Sequence, residues 1–194
     1  MATQKSKSPL AIYVALLRGV NVGGNNIISM KSLKESFEKL GFTQVATYIN
    51  SGNILFKSKE TDARKLEKKI EQMLLKEYEL DSKVVLRNLA EMETLVRSLP
   101  RGWNGDGSWR YNVMFLRHTV DSEDLLADLP INTEIEEVVY RPGALLWSIQ
   151  FSDSGKSKMA KLVSRKIYKE MTVRNLNTTR KLCALMKKLA EVDQ

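Results

Sequence analysis

The chain is poor in the residues that carry most metal, redox and nucleophilic chemistry: its 194 residues include one cysteine and one histidine. With Cys183 alone no intramolecular disulfide can form, which fits a reducing compartment. Cys183 reads as a small apolar filler on a helix. His118 and Cys183 lie far apart, so no metal-ligand spacing exists, and no cofactor is expected. No partner in the sequence places His118 in a Ser-His-Asp arrangement; it reads as a strand-end surface residue. Glu134, Glu136 and Glu137 read as strand-edge charge that discourages edge pairing. No apolar run approaches the ~20 residues of a membrane span. The stretch Met1 to Pro9 is polar, with no apolar run ahead of a cleavage site, so residues 1–8 are expected to form a loose tail and the chain to be cytoplasmic. There is no G-x-G-x-x-G. A P-loop is excluded as well, because the glycine that should precede Gly155-Lys156-Ser157 falls at Gln150. The ribonucleoprotein signature is also missing.

What is present is an ordinary globular composition, 43% apolar and 28% charged, sufficient for a core without disulfide staples. Leu10–Leu17 is a nearly unbroken apolar run and reads as a central strand covered on both faces. Met30, Leu33, Phe37 and Leu40 fall at helical spacing between a Ser29 cap and a Gly41 stop. Val45–Ile49 and Ile54–Phe56 read as strands joined by the turn Asn50-Ser51-Gly52-Asn53. A helix through Ala63, Leu66, Ile70, Met73 and Leu74 and a strand Lys83–Arg87 complete one βαββαβ unit. Asn88 and Glu91 stand at capping-box spacing ahead of a short connecting helix. The following loop carries Trp103 and Trp109, both expected to pack against a domain face.

The pattern then repeats. Strands are expected at Asn112–Leu116, Glu136–Tyr140, Ala144–Phe151 and Thr172–Arg174. A short helix is expected around Leu125–Leu129, and a longer one over Lys158–Glu170 with Met159, Leu162, Val163 and Ile167 inward. A last helix presents Leu182, Leu185, Met186 and Leu189. The expected fold is α+β: duplicated ferredoxin-like halves packed together with an extra C-terminal helix. The divisions are 9–87 and 110–175 for the halves, 88–109 for the linker helix and loop, and 176–194 for the final helix. The shared letters are few: Val14-x-x-Leu17-Arg18 against Val113-x-x-Leu116-Arg117.

Topology offers two candidate sites. The first two strands of a split βαβ unit run parallel, so the glycine-rich loop after the first should sit beside the turn after the second. That gathers Arg18, Asn21, Gly23, Gly24, Asn50, Ser51, Gly52 and Asn53 as a ligand edge, at the N-terminus of the following helix. The second site follows from charge. Residues 156–188 hold eight Lys, three Arg and one acid, Glu170, a balance of +10 against +8 for the whole chain. Lys158, Lys161, Arg165 and Lys169 recur at helical steps. Lys156, with Arg174, Asn175 and Asn177 returning at the end of the last strand, would complete an anion-binding surface.

The stretch Tyr13-Val-Ala-Leu-Leu-Arg-Gly-Val-Asn-Val-Gly-Gly24, the turn Ser51-Gly52-Asn53 and the segment Thr172-x-Arg174-Asn175-Leu176-Asn177-Thr178 resemble an uncharacterised bacterial domain-of-unknown-function family. That family usually carries Trp where this chain has Leu176. The resemblance implies a duplicated ferredoxin-like fold and no established activity. Three functions compete. A cytoplasmic, non-enzymatic binder of nucleic acid or a phosphate-bearing small molecule such as a nucleotide would use the basic C-terminal surface, with affinity falling steeply in salt. A small-molecule-binding enzyme would use the Arg18–Asn26 loop and the Asn50–Asn53 turn. A protein-interaction module would show an exposed apolar patch.

Overall fold

The computed structural model describes residues 10–22, 26–105 and 107–191. Gly23, Gly24 and the expected tail at 1–8 lie outside them. The first half runs β1 (Ala11–Leu17), α1 (Met30–Lys39), β2 (Thr43–Tyr48), β3 (Asn53–Ser58), α2 (Ala63–Tyr78) and β4 (Val84–Asn88). Helix α3 (Leu89–Arg97) leads to β5 (Trp109–Leu116), β6 (Glu136–Arg141), β7 (Ala144–Gln150), β8 (Met171–Asn175) and α4 (Leu176–Glu191). The strands form two four-stranded antiparallel sheets, ordered β2-β3-β1-β4 and β6-β7-β5-β8.

The helices start where the sequence places their caps. The Ser29 hydroxyl accepts from Ser32 N, and Gly41 continues past the end of α1 at φ +86°. Asn88 and Glu91 close a reciprocal capping box on α3, with Glu91 N donating to Asn88 Oδ1 at 2.9 Å and Asn88 N to Glu91 Oε2 at 2.7 Å.

Three apolar layers explain the burial of both sheets, the one outside the second sheet being built on Met114, Leu116, Leu145 and Leu162. Tyr13, Ala15 and Leu17 of β1 face α1 and α2, where Phe37, Leu66 and Ile70 are buried. Val14 and Leu16, pointing the other way along the same strand, enter a shared central layer. That layer also takes Val113, Phe115 and Leu146 from the second sheet and Met92, Leu95, Leu182 and Met186 from α3 and α4. The unbroken apolar run of β1 therefore has apolar partners on both sides, as its lack of alternation predicts. Helices α3 and α4 pack on each other, and α4 lies against β1 as well as β5 and β8. Each fully buried aliphatic or aromatic side chain contributes about 1.5–3 kcal/mol, so this layer dominates the union of the halves.

The second half departs from expectation on its outer face. The helices read at Leu125–Leu129 and Lys158–Glu170 are instead short 3-10 turns, Glu123–Asp128, Phe151–Lys156, Met159–Ser164 and Lys166–Glu170. Two contacts break the long helix. Glu136 of β6 is buried, not strand-edge charge, and its carboxylate accepts from Ser157 Oγ (2.5 Å), Lys158 N (3.1 Å) and Met159 N (3.1 Å). Arg165 is extended, φ −88° and ψ 147°, with its guanidinium donating to Asp128 O at 2.7 Å. Val163 is consequently 60% exposed rather than inward. Trp103 is buried as expected, whereas Trp109 is 36% exposed.

Candidate functional site

The predicted ligand edge is assembled by backbone register. Leu17 N donates to Gly52 O at 2.8 Å, which fixes the end of β1 against the β2–β3 turn. Asn21, at φ +54°, receives Ile28 N on Oδ1 (2.7 Å) and gives Nδ2 to Asn50 O (2.9 Å), so it joins the loop to the turn. Gly52 stands at φ +69° and a Cβ there would lie 2.9 Å from Leu17 Cβ, which requires glycine on both counts. Asn53 is fully buried and donates to Tyr48 O (3.1 Å) and Ser51 Oγ (3.0 Å). Asn21, Asn50, Ser51, Gly52 and Asn53 are thus brought to one rim, while the Arg18 guanidinium leaves it for the Tyr168 ring.

Arg174 joins that rim and leaves its own predicted one. Its Nε donates to Asn53 Oδ1 at 2.5 Å, and its Nη2 to Leu17 O and Ser51 O at 2.8 and 2.9 Å. Nη1 is held by Thr172 Oγ1 (2.9 Å) and Val173 O (2.8 Å). Burial pulls the guanidinium down to about 10, so it remains a cation at neutral pH, sunk among carbonyls. As an anion fork for the lysines it is already occupied.

A mate for this contact exists in the other half, and the sequence reading missed it. Arg87 of β4 is buried and reaches across to Leu116 O and, at 2.6 Å, Gly143 O. Leu116 N donates to Gly143 O at 2.9 Å, matching Leu17 with Gly52. Each half therefore sends the arginine of its last strand into the rim of the other. The signal was in plain letters: Arg87-Asn88-Leu89 and Arg174-Asn175-Leu176. In both segments the Asn caps the next helix, Asn175 Oδ1 accepting Thr178 N at 2.8 Å.

The arginines that end the first strands also cross over. Arg18 has its guanidinium carbon 5.1 Å from the Tyr168 ring centroid and its carbonyl accepts Ser82 Oγ at 2.7 Å. Arg117 reaches Glu71 (3.0 Å), Glu170 (3.1 Å) and Glu67 (3.7 Å). Burial pushes the Glu67 carboxyl up, although Arg117 and His118 pull it the other way. Cys183 is buried and its thiol is pushed up by burial, the reverse of an activated nucleophile.

The remaining predicted cations stay outside. Lys156 pairs with Asp153 at 2.9 Å. Lys158, Lys161 and Lys169, with the unforeseen Lys166, are exposed and make no ion pair among the described residues. They do not share an α-helical face. Lys158 and Lys161, and likewise Lys166 and Lys169, are paired by the three-residue period of the 3-10 turns on either side of Arg165. Asn175 and Asn177 line a cleft with Trp109 and Asn112 instead of meeting Arg174's guanidinium.

No helix among the described residues is long and apolar enough to cross a membrane. No curated protein matches the chain. Among solved structures, the conserved bacterial protein SP0830 from Streptococcus pneumoniae is similar, with TM-score 0.79 and 27% identity, covering 92% of this chain and 99% of that one. Two antiparallel sheets, a C-terminal helix and a match over residues 10–147 agree on one assignment: the chain belongs to the family described as Protein of unknown function (DUF1697).

Proposed function

We propose that the protein is a non-enzymatic binder of nucleic acid, contacting phosphates through the exposed cations of residues 156–169. The observation that carries this reading is the set Lys158, Lys161, Lys166 and Lys169, all exposed and none in an ion pair among the described residues. Cations that the protein leaves uncompensated along one segment suit an extended polyanion, whose condensed counterions are released on contact. Arg87 and Arg174, by contrast, spend their fork geometry on holding the halves together, and Arg165 gives its own to Asp128 O, so this segment offers chiefly point charges and weak sequence discrimination.

We further infer that each half is a copy of one ferredoxin-like unit. The matched strand orders, the repeated Arg-Asn-Leu segments and the reciprocal arginine contacts support it. Duplication leaves two outer faces of different character, helical in the first half, where lysines alternate with glutamates, and turn-rich in the second, which carries Lys158, Lys161, Lys166 and Lys169.

The test is fluorescence anisotropy of the full chain with a labelled oligonucleotide at about 50–200 mM salt. Affinity should fall with a log–log slope of about −3 to −4 for ~4 phosphate contacts. The double variant Lys158→Glu, Lys161→Glu should bind more weakly and lose about 2 from that slope. Absence of binding at the lowest salt, or binding indifferent to the double variant, refutes the reading.

A further inference from the structure

The loop before β5 and the first residues of that strand hold a graded stack of aromatic rings. Trp103 is buried. Tyr111 stacks on it at 4.9 Å and 29°. Trp109 also stacks on Tyr111, at 6.3 Å and 7°, and is 36% exposed. The ladder therefore runs from the interior to the surface and ends in an indole. On the opposite face of β5, Arg110 lies 4.4 Å from the centroid of Phe151, which is 57% exposed.

Trp109 borders two clefts of unlike chemistry. One, about 210 Å³, is lined by Arg110, Asn112, Asn175 and Asn177. It opens beside the N-terminus of the 16-residue α4, where the helix dipole is positive. The other, about 250 Å³, is lined by Glu134, Glu137 and Asp153. Phosphate is repelled from the acidic cleft. Amide side chains each offer a donor and an acceptor, the complement of a base edge. Phe151 also opens the 3-10 turn that ends at Lys156, so the aromatic rim and the lysine segment are continuous along the chain.

We propose that this rim is a stacking site for unpaired nucleobases, so that the partner is single-stranded nucleic acid. One base lies on Trp109 at the amide-lined cleft, and the backbone runs past Arg110 and Phe151 toward Lys158 and Lys161. The inference rests on the preceding reading that the lysines contact nucleic-acid phosphate. A duplex keeps its base faces covered and cannot use the platform, whereas a single strand gains a stacking contact at each exposed ring.

The full chain is titrated with a labelled single-stranded oligonucleotide, the corresponding duplex and linear polyphosphate at low salt. The single strand should bind at least about fivefold more tightly than polyphosphate, as one stacked base allows. Its addition should quench tryptophan emission. Trp109→Ala should remove the quench and the about fivefold advantage while leaving polyphosphate affinity unchanged, and Trp109→Phe should restore most of the advantage. Arg110→Ala, on the opposite face of the strand, should weaken the single strand more than polyphosphate. If Trp109→Ala binds the single strand like wild type while Lys158→Glu, Lys161→Glu weakens it, the platform is refuted and the lysine reading stands. If duplex binds as tightly as single strand, the platform is refuted likewise. If no polyanion binds at low salt, both fall.

Discussion

Arg174 concentrates the logic of the molecule in one side chain. A planar fork can satisfy Asn53 Oδ1, Leu17 O and Ser51 O at once; an ammonium is a compact point donor and cannot span them. Arg174→Lys should therefore leave buried carbonyls without donors and cost about 2–4 kcal/mol. The measurement is a urea titration, with a lower midpoint at unchanged slope; a loss under about 0.5 kcal/mol, the scale of surface substitutions, would refute the clip. From the sequence Arg174 was visible as a residue of consequence, but its direction was not. Strand parity decides which way a side chain points, and a five-residue strand, Met171–Asn175, carries too little periodicity to reveal it. Its acceptors lie as far as 157 positions away. The Arg-Asn-Leu echo was legible and would have led to Arg87 as well.

At the scale of elements, the turn between β6 and β7 is built around its partner from the other sheet. Gly143 sits at φ +86°, and a Cβ there would lie 2.9 Å from Arg87 Nε and Nη2. The guanidinium end of a side chain ordinarily yields, but this one is pinned by Leu86 O and Gly143 O at 2.6 Å each. Gly41 has the same φ and open space around its would-be Cβ. Gly143→Ala should thus cost roughly 2–4 kcal/mol and Gly41→Ala about 1, since only backbone strain acts at the second. Equal losses in thermal or urea unfolding would show that Arg87 moves aside. Helices with caps and long periodic faces, α1 to α3, are legible in the sequence. The 151–170 segment is not, because Met159, Leu162 and Ile167 fit an α-helix and successive 3-10 turns alike. What selects the turns is a carboxylate supplied by Glu136, some twenty positions upstream.

Across the whole molecule the central layer draws on both sheets and on α3 and α4, so neither half can shed the other without exposing it. The protein should unfold in one step. The three tryptophans, Trp103, Trp109 and Trp147, all lie beyond α3, so their emission follows the later part of the chain while far-UV circular dichroism follows all of it. The two signals should give coincident urea transitions; a separate early phase in either would sink the idea of a single cooperative unit. The crossing arginines add an asymmetry in time. The second rim receives Arg87, which is synthesised before Leu116 and Gly143. The first rim waits for Arg174, which leaves the ribosome 121 residues after Asn53. At ~5–20 residues per second that delay is on the order of ten seconds. Throughout it the nascent first half carries carbonyls with no guanidinium to meet them, and its closure is scheduled by the last strand to be made.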